Sequence, residues 1–183
     1  MNRCFAIALV FALALMSVAF AQDSDKPFDV RSSAGDLHVG KDADAHEAGL
    51  PLYPGARPKH EENNDPLNFG ILTESFGMKL VVAKYESEDS PAKILAFYRE
   101  KMKKYGKVLE CDTAKDNSSF HSDEDKNASK PLKCEGENRG PVRELKVGTE
   151  ENAHVVAIES DEKSKLTGFA IVYFHRRGKV GDI

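Results

Sequence analysis

The chain reads as a two-layer α+β domain, an antiparallel sheet of about five to seven strands with one main amphipathic helix on one face. Three observations predict it. A single helical rhythm stands out, from Pro91 to Tyr105. Short apolar runs lie on either side of it, bounded by Gly, Pro, Asn and Ser. The links between these runs are short, which favours antiparallel pairing, and one amphipathic helix is enough to cover one face of the resulting sheet.

The elements follow in chain order. Residues 1–21 are expected to be a signal peptide. Arg3 supplies a short positive region, Phe5 to Met16 is apolar, and Ala19-Phe20-Ala21 puts small residues where a signal peptidase needs them. The uncharged stretch from Cys4 to Ala21 is at the lower limit for a membrane span, and the cleavage site with the polar sequence after it favours removal. Cleavage leaves no transmembrane segment. It leaves 162 of the 183 residues and, with Arg3 gone, moves the net charge from −4 to −5.

Residues 22–48 read as a disordered acidic lead. Asp and Glu are frequent and large apolar residues sparse, so the segment has little to bury against its ordering entropy. His38 and His46 lie here beside Asp36, Asp42, Asp44 and Glu47. A solvated tether is expected rather than a weak divalent-cation site. The folded domain is placed at residues 49–176, with 177–183 as a flexible tail.

Within the domain, Tyr53-Pro54-Gly55-Ala56 is a turn in which Pro54 presets φ and Gly55 accepts a positive φ. Asn68 to Thr73 and Met78 to Tyr85 are strands reversed at Ser75-Phe76-Gly77. Leu80-Val81-Val82-Ala83 is apolar on both faces, as an internal strand would be. The helix starts at Pro91, with Ser90 as N-cap, and stops at Gly106. Ile94, Leu95, Tyr98, Met102 and Tyr105 form its buried stripe. Val108 to Cys111, Leu132 to Glu135, Val142 to Val147, Val155 to Glu159 and Thr167 to His175 are the remaining strands, with Val142 to Val147 read as an exposed or edge strand and Thr167 to His175 as central. Asn138-Arg139-Gly140-Pro141 is a turn.

Composition narrows the function classes. With 26 Lys+Arg against 30 Asp+Glu, the chain is unsuited to bind nucleic acid through bulk positive charge. Its three Cys fall to two once Cys4 leaves, and Cys111 and Cys134 are expected to form one structural disulfide. Their spacing fits neither a C-x-x-C redox motif nor a zinc knuckle.

Motifs for chemistry are sparse. Nucleophile-elbow, zincin, P-loop and dinucleotide-binding signatures are all missing. No catalytic residue, metal site or cofactor is assigned. Asp123, Asp125 and Asn127 match the first ligand positions of an EF-hand loop, but Ala128 and Cys134 stand where its Gly and Glu should be. Asn117-Ser118-Ser119 and Asn127-Ala128-Ser129 are glycosylation sequons in the same loop. His154 and His175 are read as strand-end surface residues. Tyr53, Phe69, Phe76, Phe97 and Tyr98 are read mainly as core, with a pocket between helix and sheet as the other use of them.

Two charged groups remain. Lys93, Arg99, Lys101, Lys103 and Lys104 make the helix basic, a candidate ligand or partner surface that also suits the negative end of the helix dipole. Glu86, Glu88 and Asp89 cluster at the strand-to-helix junction, a weak candidate for acid–base work and equally an ordinary acidic helix start.

Three stretches together carry a resemblance: Leu52-Tyr53-Pro54-Gly55-Ala56, the run Tyr85 to Tyr98 containing Ser90-Pro91-Ala92-Lys93-Ile94-Leu95-Ala96-Phe97-Tyr98, and Phe169-Ala170-Ile171-Val172-Tyr173. The Tyr-Pro-Gly-Ala turn followed by an S-P-x-K-[IV]-x-x-F-Y helix resembles an uncharacterised family of small secreted bacterial proteins. The resemblance implies an exported α+β domain and brings no activity and no catalytic residues. The expected function is an exported, non-enzymatic binding or interaction domain in the bacterial envelope, periplasm or exterior, with an envelope protein or a small ligand as partner. The alternatives are a small secreted hydrolase using the carboxylates near the strand–helix junction, or an accessory or inhibitory protein docking through its basic helix.

Overall fold

The computed structural model of the protein describes residues 26–41, 43–59, 65–112, 130–134, 142–159 and 165–178. The expected signal peptide, the Asp123 loop with its sequons, the turn expected at 138–141 and residues 179–183 of the tail lie outside the described residues.

Among the described residues nine strands form one antiparallel sheet: β1 (Phe28–Ser32), β2 (Gly35–Gly40), β3 (Arg57–Pro58), β4 (Leu67–Leu72), β5 (Gly77–Ser87), β6 (Leu109–Asp112), β7 (Val142–Thr149), β8 (Asn152–Glu159) and β9 (Thr167–Arg177). Their order is β1-β2-β4-β5-β9-β8-β7-β6, with β3 pairing separately along β5. One α-helix, α1 (Pro91–Met102), is present among the described residues and continues as a 3-10 turn over Lys103–Tyr105. The α+β class holds, and the strand count exceeds the five to seven expected. Among the described residues, no helix is long and apolar enough to cross a membrane.

The added strands come from the stretch read as a disordered lead. Phe28 pairs with Val39 and Val30 with Leu37, so β1 and β2 make a hairpin that β4 extends. Residues 43–50 then turn into the core, where Ala43, Ala45, Ala48 and Leu50 are buried. The expectation rested on acidic composition. The period-two alternation of Phe28/Val30 and Leu37/Val39 with charged residues outweighs it once β4 supplies a template.

Two further expectations are corrected. Residues 132–135 make no strand in the part described; the contact is an isolated bridge from Pro131, which has no N–H to give a ladder, to Thr149. β7 is not an edge, since β6 pairs along its free side. Its polar face carries a Glu144–Lys146 ion pair of 2.9 Å instead of meeting open water. β9 does lie centrally, paired with β5 over eleven residues and with β8 on its other side.

The sheet has two unlike faces. On the inner face Val81, Ala83 and Tyr85 of β5 line up with Ile171 and Phe169 of β9, Val156 and Ile158 of β8, and Leu145 and Val147 of β7, all of them buried. α1 lies over β7 and β8 and lowers Ile94, Leu95, Tyr98 and Met102 onto this face. The outer face repeats the pattern one residue out of phase. Val39, Phe69, Leu80 and Phe174 form one cross-strand row there, and Leu67, Val82 and Val172 the next.

Two buried phenols fasten the N-terminal segment to this core. Tyr85 Oη accepts the Ala45 N–H at 2.8 Å, and Tyr98 Oη accepts the Tyr53 N–H at 3.1 Å. Tyr53-Pro54-Gly55-Ala56 closes as a turn through Ala56 N–H to Tyr53 O at 3.0 Å, with Gly55 at φ +77°. The positive φ is the conformation that only glycine takes cheaply.

Candidate functional site

The residues singled out by sequence separate into distinct places. Glu86 and Asp89 border a depression of about 420 Å3 together with Glu88, Pro54, Gly55 and Arg57. Their carboxylates already have partners. Asp89 accepts Lys93 Nζ at 2.6 Å and the Tyr53 hydroxyl at 2.8 Å. These bonds, Lys93 first, hold its carboxyl below the usual carboxylate range. Glu86 accepts Arg57 Nε at 2.6 Å. A general acid needs its pKa pushed upward, and Asp89 is pushed the other way. Its work is to join the Tyr53 turn to the start of α1. Ser90 takes the N-cap position with extended backbone, and its side chain makes no capping bond.

The basic residues of α1 are likewise engaged. Lys93 meets Asp89, Arg99 meets Glu110 at 2.5 Å, and Lys103 meets Glu100 at 2.6 Å. Lys104 Nζ donates to the Gly49 carbonyl at 3.1 Å and lies over the Tyr105 ring, and Lys101 lies over Phe97. Cys111 and Cys134 form the expected disulfide at the β6 end of the sheet. Between helix and sheet the aromatic rings fill the space. Tyr53, Phe97, Tyr98, Tyr85 and Phe169 pack edge-on or tilted with centroids 5.0–6.4 Å apart. Phe76 is buried in its turn, and Phe69 lies on the outer face.

His154 is not a surface residue. It is 6% exposed, stacked at 3.8 Å on Tyr105 and tilted against Tyr173, and its Nδ1–H donates to the Ala48 carbonyl at 3.0 Å. Burial pushes its pKa below the ordinary 6.5, and nearby Lys104 pushes the same way. The unfolded chain therefore takes up the proton first. His154's contribution to stability is complete above about pH 6.5 and is lost as pH falls from there through the lower folded-state pKa. The melting temperature is expected to drop between about pH 7 and 5. His154→Gln, which keeps an N–H for Ala48, should flatten that slope. An unchanged slope in the variant would assign the acid sensitivity elsewhere.

One concavity lined by described residues was not assigned from the sequence. α1 stops short of the β1–β2–β4 end of the inner face, and a cleft of about 550 Å3 opens there. Its floor is Gly70 of β4, set between His38 of β2 and Lys79 of β5 in the ladder. A Cβ built on Gly70 would touch only His38 Cβ and the Met78 carbonyl, at 3.9 and 4.0 Å, so the floor is bare backbone with room above it. Asp29, Arg31, Asp36, Lys79, His175 and Arg177 contribute to the walls.

Local bonds hold those walls in place. His38 Nδ1 lies 2.8 Å from Asp29 Oδ1. Lys79 Nζ donates to Glu47 at 3.0 Å. The Arg177 guanidinium donates to the carbonyls of Thr73 and Glu74 at 2.7 and 3.3 Å, which ties the β4–β5 turn to the end of β9. His175 Nδ1 is buried and makes no hydrogen bond within the protein. Among the described residues no group of three or more His, Cys, Asp or Glu side chains converges as a metal site would require.

Asp29, Arg31, Asp36 and His38 all fall in the segment read as a lead, where only Asp36 and His38 were singled out, as members of a weak cation site and not as walls of a cleft. The detectable signal was the alternation of Asp29 and Arg31, then Asp36 and His38, between the apolar positions of a hairpin. Gly70 inside a strand was a second signal. Fold and site together define the class: an antiparallel α+β domain with one face sealed by a helix and a polar cleft at the unsealed end of that face. No protein-family model, curated protein or solved structure matches the chain.

Proposed function

We propose that the protein is an exported, non-enzymatic binding domain of the bacterial envelope or exterior, and that the Gly70 cleft is its ligand site. The observation that carries this reading is the bare floor at Gly70 beneath walls of both charge signs. A glycine inside a strand weakens the strand, and a molecule that must approach the backbone closely accounts for it. Walls holding Asp29 and Asp36 as well as Arg31, Lys79 and Arg177 suit a small polar ligand with both an anionic and a donor group. The Cys111–Cys134 disulfide supports an oxidising, extracytoplasmic setting. The engaged state of Asp89 and Glu86 supports binding over acid–base catalysis.

The test is a thermal-shift screen of amino acids, sugars, nucleotides and organic acids, run in parallel on the wild type and Gly70→Leu. The leucine side chain would fill the cleft from a strand position where the backbone tolerates it. A ligand at a hundredfold its Kd stabilises by about 2.7 kcal/mol, a rise of roughly 5–10 °C for a domain of this size. That rise is expected in the wild type and not in the variant. A screen with no shift, or a shift equal in both, would remove the cleft as the site.

A further inference from the structure

The outer face of the sheet is apolar where water would normally be met by polar side chains. Across β1, β2, β4, β5 and β9 one row runs Phe28, Val39, Phe69, Leu80, Phe174. Apolar rows flank it on both sides, ending in Arg176 on one of them, which is tied to Glu151 at 3.6 Å. The partners of these positions on the inner face, such as Val81 and Ile171, are fully buried, whereas the outer row is only half-buried, and Phe28 is 58% exposed. In an antiparallel sheet with one solvated face, this face should alternate to polar, and it does not.

The size of the patch identifies its occupant. Five strands about 4.8 Å apart and three side-chain rows about 6.8 Å apart span about 500 Å2 in projection, as large as the biggest apolar patch of an ordinary monomer. Covering it on two molecules at once would remove upward of about 1,000 Å2 from water, the threshold for a specific association. Two such faces are complementary as they stand, because apolar sheets stack about 10 Å apart with their strands near −30°. A membrane surface would call for free cations around the patch, whereas Arg176 is engaged by Glu151 and Lys41 by Asp65. We infer that the protein forms a symmetric dimer by stacking the outer faces of two copies into a sandwich. The Gly70 clefts, on the inner faces, are then left open on opposite sides of the dimer. This inference does not depend on what the cleft binds.

The experiment expresses the full-length gene and measures the mass of the purified product by light scattering and sedimentation, from about 1 to about 200 μM. The expected result is twice the monomer mass at the upper end. Leu80→Lys and Val39→Lys each place two charges in the symmetric interface, and both are expected to lose the dimer and stay monomeric throughout. Far-UV circular dichroism checks that each variant is folded, and Val39, already 36% exposed, serves if Leu80→Lys is not. Lys101→Glu, on the helix side, should leave the dimer intact. A wild type that stays monomeric at the highest concentration overturns the inference. So does a dimer that survives both lysine variants, or a monomer that co-sediments with phosphatidylglycerol vesicles.

Discussion

Tyr98→Ala is expected to cost about 3–5 kcal/mol, the range for deleting a buried aromatic side chain, and to lower the melting temperature by more than about 6 °C. Tyr98 is 0% exposed and packs against the rings of Tyr53, Phe97 and Phe169. Truncation opens a cavity between α1 and the sheet that the surrounding rings cannot collapse to fill. It also removes the acceptor for the Tyr53 N–H. Tyr98→Phe separates the two effects. It keeps the packing and leaves only the amide unsatisfied, at about 1–3 kcal/mol. Burial pushes the Tyr98 phenol well above its usual pKa, so it remains a neutral hydroxyl at physiological pH. Denaturant unfolding of both variants measures the split. Equal losses would mean that the hydroxyl carries the whole effect, and no loss in Tyr98→Phe would mean that the Tyr53 segment is held by packing alone.

Removing the disulfide is expected to destabilise the protein by about 3 kcal/mol. The bond joins residues 23 apart, and its absence restores the freedom of that loop to the unfolded chain. Cys111→Ala with Cys134→Ala is the informative variant, because Cys111 is 2% exposed and a serine there would bury a hydroxyl. In the folded state the 130–134 segment keeps the Pro131–Thr149 bridge and the Glu150 N–H to Lys130 O bond of 2.9 Å, so local order near β7 should persist. The Gly70 cleft lies at the opposite end of the sheet, and ligand-induced shifts there should be unchanged in the double variant. A loss well under about 1 kcal/mol would show that the reduced chain keeps the loop closed. A lost ligand response would show that the two ends of the sheet are coupled.

Both effects bear on how much of this molecule could be read from its residues. The helix was legible because Ile94, Leu95, Tyr98 and Met102 repeat at helical spacing and Pro91 marks the start, signals carried within a dozen residues. Its last turn was read as α-helix with Tyr105 in the buried stripe; it tightens instead into a 3-10 turn over Lys103–Tyr105 that leaves Tyr105 37% exposed. The pairing of Cys111 with Cys134 was legible by count once Cys4 is assigned to the expected signal peptide. The β1–β2 hairpin was not, because its four large apolar residues are interspersed with charged and small ones and the stretch resembles a solvated tether until β4 pairs with it. The charged candidates on α1 and at Glu86 to Asp89 were visible as clusters, but a cluster in sequence does not reveal that Arg57, Tyr53 and Glu110 arrive from elsewhere to engage them.

By itself the sequence determined the α+β class, the helix with its buried stripe, the turn at Gly55, the central place of β9 and the disulfide. Each is set by interactions or backbone preferences between near neighbours, or by a choice with only one outcome. The tertiary structure alone decided that residues 28–40 join the sheet, that His154 is buried, and that Gly70 is left bare between His38 and Lys79. It also decided that the outer face remains apolar and open. Those properties depend on which strands become neighbours, and strand order in an antiparallel sheet is fixed by long-range pairing that no local pattern encodes.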